Sequence, residues 1–220
     1  MVKRGLLIGN YDTAAEQWTL TEWKLADPQA VTDLVDVPGR RKGPLDLSTA
    51  LTDGDPVYGS RALTATFECS EGTRLEREDK ISEMVNGLDG WRLNIVLPDD
   101  PHHYITGRVS VAKVYNDLAH ASVQVTATCE PWRYNETETT VVLTAAEAAR
   151  TATLLNSGRL AVVPLLEVSG GTVTLGYSTH SWALSEGVYA LPDLLLIHGE
   201  SVITYSGTGT LILTYREAVL

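Results

Sequence analysis

Apolar and polar residues alternate with a period of two along much of the chain, in short runs broken by Gly, Pro, Asn and Asp. That is the pattern of half-buried antiparallel strands. The clearest run is 121–130, where Ala121, Val123, Val125, Ala127 and Cys129 alternate with Ser122, Gln124, Thr126, Thr128 and Glu130. Residues 61–69 repeat it, with Leu63, Ala65, Phe67 and Cys69 on one side. Two more strands are predicted over 93–97 and 104–115. The turn between them is Pro98-Asp99-Asp100-Pro101, because Pro and Asp preset turn geometry. One stretch has a helical period instead. Ile81, Met84, Val85 and Leu88 fall at i, i+3, i+4 and i+7, and Thr73 and Glu76 have the spacing of a capping box. Asn86-Gly87 and Asp89-Gly90 offer the stop. A helix is predicted there, packed on a sheet by that stripe.

From Pro28 to Pro56 the pattern changes to a long excursion of short strands and turns, punctuated by Val37-Pro38-Gly39, Gly43-Pro44 and Asp53-Gly54-Asp55-Pro56. An excursion of that length in a compact domain is usually functional or an interaction arm. It carries Val31, Leu34, Val35, Val37, Leu45, Leu47 and Leu51, which need somewhere to be buried, and the basic trio Arg40, Arg41 and Lys42. The trio reads as a solvated loop or as a contact to an acidic neighbour.

The second part of the chain differs in composition. Residues 1–134 hold fourteen Lys and Arg and twenty Asp and Glu; residues 135–220 hold three and eight, and these sum to the totals of 17 and 28. A domain boundary is expected near Trp132 to Glu138, giving domains 1–134 and 135–220. Beyond it, Thr144-Ala145-Ala146-Glu147 has capping-box spacing and predicts a short Ala-rich helix. Strand-like runs follow at 160–168, 172–177, 181–184, 194–198, 201–205 and 210–216. Gly170-Gly171 and Ser206-Gly207-Thr208-Gly209 read as hairpin turns between them. Six or so short strands in this span predict a small sandwich.

Charge narrows the function. The net charge of −11 argues against nucleic-acid binding as the main task and against docking on anionic membrane. The longest apolar runs, 160–166 and 191–197, are far below the ~20 residues that span a bilayer. Lys3-Arg4 precedes too short an apolar stretch for a secretory signal, so the chain is expected to stay in the cytoplasm where it is made. Cys69 and Cys129 are too few for a disulfide framework and fall on the apolar faces of their strands, which predicts two buried thiols.

Candidate chemistry is sparse. His102-His103 beside Asp99 and Asp100 is the best metal candidate, but neighbours on an extended chain point to opposite faces. There is no nucleophile elbow, phosphate loop or dinucleotide fingerprint. No cofactor, no metal and no enzymatic activity are expected. Trp182 and Tyr189, near His180, are the candidates for glycan contact, with core packing as the competing reading.

Three stretches in order are similar to the distal tail proteins of long-tailed, siphovirus-like bacteriophages. They are Thr106-Gly107-Arg108-Val109-Ser110-Val111, Cys129-Glu130-Pro131-Trp132-Arg133-Tyr134, and Asn156 and Gly158 running into 163–170. The end of the chain, from Gly199-Glu200 through 206–209 to Tyr215-Arg216, resembles that family's C-terminal hairpin. The resemblance covers roughly residues 55–220. It implies an N-terminal tail-tube-like β-sandwich or split barrel with one α-helix and a C-terminal galectin-like β-sandwich. It also implies a non-enzymatic virion protein of the tail tip, assembled in the host cytoplasm. A homo-oligomeric ring, a hexamer, would join the tail tube protein to the hub and tail-associated fibre protein. DNA would pass through its channel without specific binding. On this reading Val37, Arg40, Arg41, Lys42, Leu45 and Leu47 are the expected subunit interface. The alternative class is a carbohydrate-binding module.

Overall fold

In the computed structural model, residues 5–36, 38, 43–50, 52 and 55–220 are described. The chain divides into two compact units, Met1–Pro131 and Trp132–Leu220. The architecture is mainly β with a single helix among the described residues, as the alternating pattern predicts.

The first unit holds β1 (Leu7–Ile8), β2 (Tyr11–Asp12), β3 (Thr19–Leu25), β4 (Leu34–Val35), β5 (Leu45–Asp46), β6 (Arg61–Cys69), α1 (Arg74–Leu88), β7 (Arg92–Leu97), β8 (Asp100–Asn116) and β9 (Ala121–Cys129). Its main sheet runs β2-β1-β7-β8-β9-β6-β3, with every pair antiparallel. β6 and β9 pair from Arg61↔Cys129 to Cys69↔Ala121. That register puts Leu63, Phe67, Val123, Val125 and both cysteines on one buried face, as their alternation requires. The hairpin between β7 and β8 is tighter than the four-residue turn expected. Leu97 pairs with Asp100, and the register shift beside it places Pro101 at an irregularity where no ladder donor is needed.

Helix α1 begins at Thr73. The Thr73 hydroxyl accepts from the Glu76 amide at 3.3 Å, and the Glu76 carboxylate accepts from the Thr73 amide at 2.6 Å. These bonds hold the Glu76 carboxyl below its ordinary range. The helix stops at Asp89, whose amide donates to the Val85 carbonyl. Ile81, Met84 and Leu88 are buried and Val85 half-buried against the sheet, alongside Trp18, Leu6 and Ile8 from the N-terminal hairpin. Leu88→Ala is expected to cost about 2–5 kcal/mol by emptying that contact. Urea unfolding measures it, and a loss below ~0.5 kcal/mol would place Leu88 outside the core.

The second unit holds β10 (Arg133–Asn135), β11 (Thr139–Thr144), β12 (Arg150–Asn156), β13 (Leu165–Ser169), β14 (Val173–Tyr177), β15 (His180–Leu184), β16 (Gly187–Ala190), β17 (Gly199–Gly207), β18 (Thr210–Tyr215) and β19 (Ala218–Val219). Eight of these form two four-stranded sheets, β11-β18-β13-β16 and β12-β17-β14-β15. Every connection except β14–β15 passes from one sheet to the other, which is the winding of an eight-stranded jelly roll. Leu154, Leu166, Val168, Val173, Leu175, Ile203, Leu211 and Leu213 fill the space between the sheets. β10 pairs with β19, and Arg216 donates to the carbonyls of Asn135 and Glu136 and to the Glu138 carboxylate, tying the entry of the unit to its exit.

Three expectations for this unit are corrected. No helix forms at Thr144 to Glu147, because the backbone there is already committed: Ala145 donates to the Gly209 carbonyl and Ala146 accepts from the Gly207 amide. Strand β12 follows it, paired with β17 over seven residue pairs. Gly170-Gly171 and 206–209 are not hairpin turns. Each carries the chain between sheets, and the two crossings lie side by side, with Thr208 donating to the Thr172 carbonyl at 3.0 Å. Gly171 and Gly207 have φ of 152° and 132°, and a Cβ on Gly207 would run into the Thr172 carbonyl. The expected C-terminal hairpin is therefore two strands in opposite sheets. Finally, residues 194–198 make only a single bridge, Val162↔Leu196. Leu194 and Leu196 are buried like strand residues. The Leu196 carbonyl, however, is taken by the buried Asn156 side chain at 2.9 Å as well as by that bridge.

Candidate functional site

The arm between β3 and β6 is a narrow ribbon. At its base Ala30 bridges Tyr58, Val31 donates to the Val57 carbonyl and Gly59 to that of Gln29. Farther out, β4 and β5 pair as Leu34↔Asp46 and Val35↔Leu45. The Asp46 carboxylate accepts from the Ser48 amide, and the Ser48 hydroxyl accepts from the Asp33 amide. The Ser48 hydroxyl, which also donates to Asp46 at 2.5 Å, and the Ser48 amide together hold the Asp46 carboxyl below its ordinary range. Val31, Leu34, Val35, Leu45 and Leu47 are all exposed, Leu34 to 58%, and none joins the core of the first unit. Of the expected interface residues, Leu45 and Leu47 are thus brought together on one ribbon. Val37, Arg40, Arg41 and Lys42 lie outside the described residues, as does Leu51.

A second exposed surface lies where the N-terminus of α1 meets the β8–β9 hairpin. Arg77 is buried to 1% exposure and braces this corner. Its guanidinium donates to the Gly72 carbonyl at 2.6 Å, the Asp117 carbonyl at 2.8 Å and Asn116 Oδ1 at 3.4 Å. Asn116 Nδ2 donates in turn to the Arg74 carbonyl and to Glu78. Lys113 meets the Glu78 carboxylate at 2.7 Å, which holds that carboxyl below its ordinary range. The Asp117 carboxylate caps the turn by accepting from the amides of Ala119 and His120, both at 2.8 Å. On this braced corner stand Leu75, Val114 and Leu118, the last 92% exposed. Residue alternation did not single them out; an apolar residue at the tip of an Asp-capped turn is the signal that could have.

The sheet face turned away from the core carries Thr64 and Thr66 of β6, Ser110 and Ala112 of β8, and Gln124 and Thr126 of β9 as adjoining rows. No charged side chain stands among these six positions.

Trp182 and Tyr189 sit on β15 and β16, the edge strands of the two sheets of the sandwich. Both are half-buried against its core. Trp182 stacks on His180 with ring centroids 5.7 Å apart, and the Tyr189 hydroxyl donates to the Ser185 carbonyl at 2.9 Å. His103 Nδ1 meets Asp100 Oδ1 at 2.7 Å. Among the described residues no three His, Cys, Asp or Glu side chains gather as metal ligands would. No helix among them is long and apolar enough to cross a membrane.

Both cysteines are buried free thiols, as the alternation predicts. Burial pushes the Cys129 thiol from 9.0 to about 11 and the Tyr11 hydroxyl from 10.0 to about 12. The folded state therefore holds these protons more tightly than the unfolded chain. Their stabilising contribution is complete below pH 9 and is lost as pH rises toward 11–12. Urea midpoints measured from pH 8 to 12 are expected to fall across that window, and a Cys129→Ser variant to lose the lower part of the fall.

No protein-family model matches the chain, and no curated protein sequence does. A solved structure does match it. SPP1 Dit (gp 19.1), described as a paradigm of the hub adsorption apparatus in phages that infect Gram-positive bacteria, superposes with a TM-score of 0.69. The two chains share one fold. The match covers 96% of this chain and 98% of Dit, so both units and the order of their elements are shared, at 13% sequence identity. The sequence resemblance to distal tail proteins covered only residues 55–220; the structural match covers 96% of the chain.

Proposed function

We propose that this chain is a structural protein of a phage tail tip, a distal tail protein that builds a ring, in the simplest case a hexamer. The ring would join the tail tube to the hub and its receptor-binding fibre and leave a channel for DNA. The observation that carries this reading is the end-to-end likeness to Dit, a protein of a hub adsorption apparatus. In this reading the first unit forms the ring and the second, the sandwich, stands as a separately folding domain. The protein acts as a scaffold and holds no cofactor.

Two features of the chain support the ring. The arm exposes an apolar ribbon that the chain's own core leaves uncovered, and a neighbouring copy in a closed ring covers such a ribbon without leaving an open edge. The uncharged rows Thr64, Thr66, Ser110, Ala112, Gln124 and Thr126 suit the channel wall. Polyanionic DNA slides past hydroxyl and amide groups without the counterion release that drives tight binding.

Negative-stain imaging of the purified protein tests the reading, with native mass spectrometry for the copy number. Rings with a central hole are expected. A protein that stays monomeric at every concentration reached would sink the proposal.

A further inference from the structure

We infer that β11, an edge strand of the sandwich in the second unit, is a docking edge for the β11 strand of a second copy of this chain, the two strands pairing antiparallel about Val142. The contact relates two copies by a two-fold axis. It goes beyond the ring reading and does not depend on it.

An edge strand presents a row of unpaired N–H and C=O groups, and soluble proteins blunt long edges with charge, proline, a bulge or a covering group. Among the described residues, the edge strands of six residues or more are β3, β11 and β12. β3 carries Glu22 and Lys24 and a register shift between Leu20 and Glu22. β12 carries Arg150, and the Tyr215 hydroxyl donates to its Leu155 carbonyl at 2.6 Å. β11 reads Thr-Thr-Val-Val-Leu-Thr, with no charge, proline or glycine. It pairs with β18 without a register shift, from Thr139↔Tyr215 to Thr144↔Thr210, and β18 has no charged residue either. Val142, in the middle of the edge, is 60% exposed.

The open backbone groups can be named. Ala145 donates to the Gly209 carbonyl at 2.9 Å and continues the β11–β18 register. Hydrogen-bonded pairs alternate along an antiparallel ladder, so Thr139, Val141 and Leu143 bond to β18. The N–H and C=O groups of Thr140, Val142 and Thr144 therefore point to the open edge. The same three residues are exposed, while Val141 and Leu143 pack against the core of the sandwich.

A second β11 fits this edge by its own symmetry. With Val142 opposite the mate's Val142, Thr140 faces the mate's Thr144 and Val141 faces the mate's Leu143. Each open donor then meets an open acceptor, giving about six new hydrogen bonds. Outward side chains stay outward and core-facing ones continue the core row; a slip of one residue would break both matches at once. No charges meet within the six paired positions. Glu136, Glu138, Glu147 and Arg150 lie beyond them, and Glu138 is ion-paired with Arg216 at 3.0 Å. One such strand pair buries well under the ~1,200 Å² of a stable interface. The pairing is therefore transient in dilute solution and gains strength where several edges meet at once.

Covalent capture in the full chain tests it. Cys69 and Cys129 are buried free thiols, so an engineered exposed cysteine reports alone. The pairing sets Val142 about 5.5 Å from its mate between Cα atoms, within disulfide range. Val142→Cys is expected, on mild oxidation, to form covalent dimer at least about ten times faster than Val202→Cys, which is 57% exposed on the other sheet. Thr140→Cys should match the slow control, because its own mate lies four residues along, roughly 14 Å away. Thr140→Cys with Thr144→Cys should crosslink rapidly, and adding Val142→Lys, which sets like charges opposite each other at an exposed site, should abolish that without changing Tm. A denaturing gel counts covalent pairs whether or not rings form, so the outcome is separate from that of the ring reading. Val142→Cys crosslinking no faster than Val202→Cys, or no faster than Thr140→Cys, overturns the inference.

Discussion

Removing residues 36–52 and joining the ends with a short Gly/Ser linker is expected to abolish ring formation and leave a folded monomer. The described apolar residues of the deleted stretch, Leu45 and Leu47, contribute nothing to the core of the first unit. The main sheet should therefore keep its stability. Replacing one connection by a shorter one alters loop-closure entropy by well under about 1 kcal/mol, so Tm should move by no more than about 3 °C. Assembly should fail altogether, because every copy in a cyclic ring uses the same heterologous contact and loses it at once. Sedimentation velocity of the intact and shortened proteins at matched concentrations separates the outcomes. A shortened protein that assembles as well as the intact one would show that the arm is not the ring contact.

Arg77→Leu is expected to destabilise the first unit through lost hydrogen bonds rather than lost packing. The guanidinium donates to the Gly72 carbonyl, the Asp117 carbonyl and Asn116 Oδ1. A leucine fills similar space but leaves these acceptors without that partner in a corner where Arg77 itself is 1% exposed. The Asn116 Oδ1 acceptor is buried and costs about 1–3 kcal/mol if left unsatisfied, while the part-buried Gly72 and Asp117 carbonyls add less. For a domain of this size that is roughly 2–12 °C in Tm. Differential scanning calorimetry reads it directly. A loss below about 1 kcal/mol would mean that water reaches the carbonyls once the guanidinium is gone. The same variant should loosen the β8–β9 hairpin tip, raising hydrogen exchange at Ala119 and His120, whose amides the Asp117 carboxylate now holds.

The two predictions separate two surfaces with opposite physical characters. The arm is exposed and joined to its domain through a short zipped base, so its loss is felt between copies. The Arg77 corner is integrated with the helix and the long β8–β9 hairpin, so its loss is felt within the copy. The six uncharged positions of the outward sheet face are the feature the channel reading uses, flanked on the same face by Glu22, Lys24, Glu68 and Arg108.

Much of the first unit was legible along the chain because its signals are local. The alternation at 61–69 and 121–130 fixes which face is buried whatever the partner strand is, since side chains on a strand point to opposite faces in turn. The Thr73–Glu76 box and the Ile81, Met84, Leu88 stripe likewise specify a helix and its buried side from within one segment. The exposed apolar residues of the arm were readable as residues in need of cover. Burial of Cys69 and Cys129 followed from the faces they occupy.

What the tertiary structure decided is where distant segments compete for the same backbone groups. Thr144 to Glu147 has a helical start signal, but its amides and carbonyls are claimed by 207–209, so it becomes the crossing between two sheets. Gly170-Gly171 and Gly207 have the composition of hairpin turns, and only the pairing of their flanking strands with other partners makes them crossings. Leu194 and Leu196 alternate like a strand, yet their neighbours satisfy the backbone through a single bridge and an asparagine side chain. Arg77 falls on the buried face of its helix, and its partners Asn116 and Asp117 lie about forty residues away, so no local pattern marks it as a clamp. Local periodicity sets the element and its face; the hydrogen-bond partners that settle turns, crossings and buried charges come from far along the chain, and only the packed fold brings them together.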